Sequence, residues 1–461
     1  MTARRFLLVL SVALLGAWAG APVGQTKPDL DPRITKLLGE ISEERLRTLL
    51  TTLVGFGTRN TLSDTTSPTR GIGAARQWIL EELKRSSPRL AVSFDTHVLA
   101  PQGRLTRRIE LRNVLAVLPG RSERRIYITA HYDSLSIGGQ NEVYNRASTD
   151  PPVRDPQIDP KFDHNVNAPG ANDNGSGTAL TMELARVFAA SGLDFDATLV
   201  FALWAGEEQG LFGATAHARA LRARKTAVEA ILNNDIVGNI HALSGGTDAV
   251  TVRVYSSGPE DSSSRSLARY VERAAAAYVP GHRVRLLARQ DRFNRGSDHQ
   301  PFEQEGFPAI VFREMAENVG RQHSALDTLD GVDTAYLRQN ARVNAAAAAS
   351  LALAPSAPVL TGSRGQLLLS REPSGSDASL RWQPVPGAAS YRVYWRDAWS
   401  NDWQQQRDAG SGTHFVLPGL SIDDLVFGVA AVGADGLESR ISAYVAPPRR
   451  IAPLKRPAAP K

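Results

Sequence analysis

A chain of 461 residues, 42% apolar and 22% charged, has ordinary globular composition and is too long for one core, so two or three domains are expected. The formal charge is +6, but Arg4, Arg5, Arg449, Arg450, Lys455, Arg456 and Lys461 lie at the two ends, and no basic run interleaved with aromatics occurs in the body, which argues against nucleic-acid binding. There is no cysteine, so disulfide, iron–sulfur and thiolate–zinc chemistry are excluded, and any metal site must be built from His, Asp and Glu.

Residues 1–19 read as a signal peptide. Arg4 and Arg5 open it, a short apolar run follows, and Ala17-Trp18-Ala19 fits a small-x-small cleavage site. The run is short for a membrane span, an uncleaved anchor being the alternative, and no later segment is apolar enough to span. The mature protein is therefore expected to be soluble and exported, secreted or periplasmic. Helical spacing then covers 41–53, with Leu46, Leu49, Leu50 and Leu53 on one side, and a second helix fits 73–84, with a Ser/Thr/Asp/Pro-rich loop over 60–69 between them. Strands are expected at 90–99, 109–118 and 125–131. Residues 137–169 are rich in Asp, Pro and Asn without period and read as a long loop.

A helix over 177–190, a continuously apolar strand over 198–204, a helix over 208–220 and a strand over 230–237 follow. A strand at 250–256, a helix at 265–277, a strand at 309–313 and an alanine-rich helix at 334–353 complete the series. Strands alternating with helices predict an α/β fold, a mixed and largely parallel sheet sandwiched by helices, over residues 35–354. The linker around 355–358 then opens a different pattern. Short strands at 380–382, 391–395, 413–417 and 425–432 predict a small all-β, immunoglobulin-like sandwich over 357–446. Residues 447–461 form a basic, Pro-rich tail expected to be disordered.

Five segments place acids or His at strand ends or in loops. His131 and Asp133 stand two apart at the end of a strand and point the same way, which suits an imidazole ligand steadied by a carboxylate. Asp173 lies in a Gly-flanked loop, Pro169 to Gly177, that can fold tightly. Glu207 and Glu208 follow the apolar strand, where α/β sheets place ligands, and being adjacent they point differently. One can bind metal while the other reaches a metal-bound water. The simpler account of this pair is an acidic helix start favoured by the helix dipole. Asp235 ends another apolar strand, and His323 lies in the loop Gln322-His323-Ser324-Ala325-Leu326-Asp327-Thr328. Together the five supply the His and carboxylate inventory that two metals sharing one carboxylate require.

This ordered series resembles the two-zinc aminopeptidases of the bacterial leucyl aminopeptidase, aminopeptidase Y and plasma glutamate carboxypeptidase type, over roughly residues 35–354. The resemblance implies that Asp173 bridges two Zn2+ ions, that His131 and Asp235 complete one site and Glu208 and His323 the other, that Glu207 is the general base acting on a metal-bridged water, and that Asp133 orients His131. It also implies a cis peptide after Asp173 and peptide substrates with a free amino terminus. Asp298 and His299, in Gly296 to Phe302, match the family's Ser-Asp-His segment and are assigned no ligand role; no tyrosine is assigned to assist the oxyanion. Dipeptidase or carboxypeptidase action of the same family, a one-zinc glutaminyl cyclase and a non-enzymatic binding protein are the alternatives. Trp382, Tyr391 to Trp395 and Leu417-Pro418-Gly419-Leu420 resemble a fibronectin type III module, with a protein or a carbohydrate as its expected partner.

Overall fold

The computed structural model describes residues 30–137 and 162–445; the expected leader 1–19, most of the 137–169 loop and the tail 447–461 lie outside them. In chain order the main body comprises α1 (Pro32–Gly39), α2 (Glu43–Gly55), α3 (Gly71–Ser86), β1 (Ala91–Leu99), β2 (Ile109–Leu118), β3 (Arg125–His131), α4 (Gly177–Ala190), β4 (Thr198–Trp204), α5 (Phe212–Ala223), β5 (Val228–Asn234), β6 (Thr251–Tyr255), α6 (Ser263–Tyr278), β7 (Arg283–Leu287), α7 (His299–Gln304), β8 (Ala309–Glu314) and α8 (Thr334–Leu353). The smaller part comprises β9 (Leu369–Arg371), β10 (Ala378–Arg381), β11 (Ser390–Asp397), β12 (Gln405–Gly410), β13 (His414–Leu417), β14 (Leu425–Val432) and β15 (Ser442–Ala443). No helix among the described residues is long and apolar enough to cross a membrane.

Eight strands form one mixed sheet in the order β1-β2-β4-β3-β5-β8-β6-β7. The pairs β3/β4, β3/β5, β5/β8 and β6/β7 are parallel and β1/β2, β2/β4 and β6/β8 antiparallel. Both faces are covered, which is why the central strands are apolar throughout. Ile126, Ile128, Ala130, Leu199, Phe201, Leu203 and Leu232 pack on a layer that includes α2, α4, α6 and α8. Tyr127, Val200, Trp204 and Ile231 face α5 and α7 on the other side. Because β4, β3 and β5 are parallel neighbours, their carboxyl ends lie side by side, His131 opposite Trp204 and Thr129 opposite Asn233.

The expected helix at 208–220 begins later, at Phe212. Gly206 (φ 74°), Gly210 (φ 135°) and Leu211 (φ 60°) all adopt left-handed backbone, which an α-helix cannot contain, so Glu207 and Glu208 sit in a turn rather than a helix start. The strand expected over 230–237 ends at Asn234, leaving Asp235 just past it. Three elements of the main body are not evident in the sequence. α1 carries the Asp31 cap and Pro32 of a regular helix start. β7 is a five-residue edge strand with two arginines. α7 is a six-residue helix.

Among the described residues no helix follows α8. Strands β13-β10-β9 form one antiparallel sheet and β12-β11-β14-β15 another. They share a core of Leu380, Trp382, Tyr391, Val393, Leu417, Phe427 and Val429. This part docks on α6: the Ser266 hydroxyl donates to the Ile441 carbonyl (2.6 Å), Tyr270 to the Glu438 carbonyl (3.1 Å), and Arg396 pairs with Asp261.

Gly177, the first residue of α4, has no room for a side chain: a Cβ would lie 2.3 Å from the Asn234 carbonyl oxygen, at the end of β5. Alanine favours a helix over glycine, but here it would strike backbone. We expect Gly177→Ala to destabilise by about 1–3 kcal/mol, as overpacking does, measured by urea or thermal unfolding; an unchanged or raised midpoint would show the α4–β5 contact to be adaptable.

Candidate metal centre

The turn after β4 is shaped by the residues around it. A Cβ on Gly206 would lie 2.8 Å from Leu111, and the Gly206 amide donates to Thr61 Oγ1 (3.0 Å). Thr61 donates in turn to Asp133 Oδ2 (3.0 Å). The Asp133 carboxylate also accepts the main-chain amides of Glu207 and Glu208, each at 3.3 Å. Asp133 thus anchors the two-glutamate turn. His131 Nδ1 lies 3.1 Å from the Asp133 main-chain oxygen and 3.5 Å from its carboxylate Oδ1, so the main chain of Asp133 is the nearer partner of the imidazole.

The loop carrying Asp173 (Ala171–Ser176) runs into α4. Asn172 Oδ1 accepts the Gly238 amide (2.9 Å), Asn174 Nδ2 donates to the Asn234 carbonyl (2.8 Å), and Ser176 Oγ accepts the Val237 amide (3.1 Å). These bonds stitch the loop to the residues around Asp235. The Asp173–Asn174 peptide is cis, as the resemblance implied. Asp327, in the His323 loop, accepts the amides of Asn172 (3.0 Å) and Asp173 (2.8 Å).

All five expected ligands come together. His131 Nε2 lies 3.5 Å from Asp173 Oδ1 and 3.7 Å from Asp235 Oδ1. On the other side of Asp173, His323 Nε2 lies 3.1 Å from its Oδ2 and 3.1 Å from Glu208 Oε2. Asp173 therefore belongs to two donor groups at once, His131–Asp173–Asp235 and Asp173–Glu208–His323, while Glu207 and Glu208 form a third with His131. Nitrogen and oxygen donors about 2.0–2.1 Å from a tetrahedral zinc are separated by about 3.3 Å, close to the spacings found. Glu208 Oε1 is buried without a hydrogen-bond partner among the described residues, and Arg313 Nη1 stands 2.6 Å from Asp235 Oδ1 but out of line for a hydrogen bond. Buried carboxylate oxygens with unsatisfied lone pairs fit a cation.

The electrostatics say the same. Burial works against charge on His131, yet Glu207, Asp133, Asp173 and Asp235 carry its imidazole well above the usual range. Burial likewise opposes charge on His323, but Glu208 and Asp173 push it up to about 10. The cluster holds positive charge against the penalty of burial, and a metal supplies that charge without a proton. Asp173, despite burial, is held well below the carboxylate range by the two imidazoles. Asp235 is kept at about 2, burial opposing and Arg313 prevailing. Glu207 behaves otherwise: burial, reinforced by Glu208, Asp235 and Asp298, pushes its carboxyl well above the ordinary value.

Several residues around the centre were not assigned from sequence. Arg59 is fully buried and donates to the carbonyls of Tyr132 (2.7 Å), Pro169 (2.6 Å) and Gly170 (2.8 Å), tying the His131 strand end to the Asp173 loop. Arg313 bridges Asp235 and Asp291 Oδ2 (2.9 Å). Ser297, in the Ser-Asp-His segment, donates to Asp235 Oδ2. A single arginine or serine carries no local signal; only Asp327 and Ser297 sat inside motifs that stood out. Asp298 and His299 are buried beside the centre and belong to none of its donor groups, and neither carboxylate oxygen of Asp298 has a hydrogen-bond partner among the described residues.

The family described as Peptidase family M28 matches residues 113–348. A Leptosphaeria maculans protein named "Probable zinc metalloprotease" is 35% identical over 452 residues, 90% of this chain and 98% of its own. A Pyricularia oryzae protein of the same name is 34% identical over 464 residues, covering 91% of this chain and 86% of its own. Among solved structures, the LapA aminopeptidase of Legionella pneumophila is similar at TM-score 0.52 and 19% identity, covering 70% of this chain and 75% of that one. A Porphyromonas gingivalis glutaminyl cyclase is similar at TM-score 0.51 and 19% identity, covering 67% and 98%. These two share the fold. The extent of the sequence match, and a donor set suited to zinc, place this chain in peptidase family M28, as a zinc-dependent metallopeptidase.

Proposed function

We propose that the protein is an exported two-zinc exopeptidase that removes amino-terminal residues from peptides. The observation carrying this reading is the position of Asp173, whose two carboxylate oxygens face separate donor groups. In this reading His131, Asp173 and Asp235 hold one ion, and Asp173, Glu208 and His323 the other. Bound zinc supplies Lewis acidity towards water and the substrate carbonyl. Glu207, unlike Glu208, has no imidazole within ion-pair distance among the described residues, and burial raises the proton affinity of its half-buried carboxyl. It accepts a proton from the attacking water and delivers it to the leaving amine. Asp133 contributes by fixing the backbone of both glutamates. The exported location rests on the leader, and the C-terminal sandwich is read as a fibronectin type III-like module that binds or spaces. Glutaminyl cyclases share the fold, and one tight zinc with cyclisation of amino-terminal glutamine and no peptide cleavage would favour that reading instead.

Three measurements test this. With Glu207→Gln, zinc content should stay at the wild-type value while kcat falls by about 10²–10⁴-fold, the usual contribution of a general base; retained turnover would remove Glu207 from that role. With Glu208→Ala, metal analysis should show zinc lost from one of the two sites; unchanged content would exclude it as a ligand. Peptides with free amino termini should be cleaved and their acetylated counterparts left intact, whereas cleavage of both would turn the assignment towards carboxypeptidase action.

A further inference from the structure

Beside the centre, three guanidiniums share one carboxylate. Glu317 is paired with three guanidiniums: Arg253, Arg292 (2.6 Å) and Arg295 (3.2 Å). Arg253 and Arg292 have further partners, the Glu314 carbonyl at 2.9 Å and the Asp291 carboxylate at 3.2 Å. Arg295 has one other, donating from Nη2 to Gln322 Oε1 (2.8 Å), and its Nε–H meets no acceptor among the described residues. Its side chain keeps 20% of its surface open.

The position of Arg295 is bracketed by the centre's own residues. Gln322 directly precedes His323. Two residues beyond Arg295, Ser297 donates to Asp235, and the intervening Gly296 carbonyl accepts from Arg313 (3.0 Å), the partner of Asp235. Asp173 is among the charges that act on Arg295. A guanidinium crowded by two others, beside a centre loaded with dications, gains little from its surroundings unless an anion meets it. Its planar fork fits a carboxylate.

We propose that Arg295 is a specificity-determining residue that receives a carboxylate of the substrate. This deepens the peptidase reading and rests on it. The carboxylate is either the peptide's own terminus or an acidic side chain beside the scissile bond. The rival account is that Arg295 only steadies Gln322, and through it His323. A steadying role acts on every substrate alike, and a carboxylate receptor does not.

The test uses the full-length, zinc-loaded protein and three peptide pairs matched except for one carboxylate: leucyl-alanine and its amide, leucyl-glutamic acid α-amide and leucyl-glutaminamide, and glutamyl-alaninamide and glutaminyl-alaninamide. The wild type should prefer the acid by at least about ten-fold in kcat/KM in one pair, as a charge-assisted hydrogen bond implies, and the pair identifies the source. Arg295→Gln should bring that ratio close to one, mainly through KM, and Arg295→Lys should restore part of it. The proposal is overturned if the wild type shows no acid preference in any pair, a result that needs no variant to fold. It is also overturned if Arg295→Gln lowers both members equally. Cleavage of none of the six peptides would instead refute the peptidase reading, and this inference with it.

Discussion

The rest of the structure depends on one electrostatic constraint: acids are packed together where water cannot screen them. Asp133, Asp173, Glu208, Asp235, Asp298, Glu314 and Asp327 are all buried, and they lie around one end of one sheet. Taking that many carboxylates out of water is unfavourable unless each is neutralised, hydrogen-bonded or given a cation. How each is settled divides them by role.

Some are met by permanent cations. Arg313 stands between Asp235 and Asp291, and burial does not prevent these acids from raising its proton affinity. Arg59, lowered by burial to about 10, feels Asp327, Asp133, Asp173 and Glu208 together while binding main-chain carbonyls. Others are met by hydrogen-bond donors instead, while burial raises their proton affinity. Burial pushes Asp327 up to about 7 and Glu314 well above the carboxylate range, although both accept hydrogen bonds. What remains between the two imidazoles is Asp173, flanked by Glu208 and Asp235, each of which keeps one carboxylate oxygen without a hydrogen-bond donor among the described residues. That remainder suits a bound metal ion.

The sheet determines where this happens. β4, β3 and β5 run parallel, so their ends deliver His131, the glutamate turn and Asp235 to one place, while the crossover into α4 brings Asp173 over them. The loop after β8 adds His323 and Asp327, and the loop before α7 adds Ser297 and Arg295. The smaller sandwich docks on α6 through main-chain carbonyls and the Arg396–Asp261 pair.

Much of this was legible in the sequence because it is local. Apolar runs with buried periodicity identified seven of the eight strands of the large sheet, and acids or His at the ends of such runs marked His131, Glu207, Glu208 and Asp235. Their pairing into two groups around Asp173 came only from the resemblance, since spacing along the chain does not determine which strand ends meet. What tertiary structure alone decided was non-local. Glu207 and Glu208 looked like a helix start, because left-handed backbone at Leu211 leaves no trace in residue type. Arg59 and Arg313, which carry no signal in the sequence, are fully buried. Glu317, an unremarkable acid in sequence, gathers three arginines from two distant segments, Arg253 on β6 and Arg292 and Arg295 in the loop before α7. A residue's type and its neighbours in sequence fix which chemistry it can perform; the charges that surround it, and therefore what it binds, are set by segments that meet only when the chain folds.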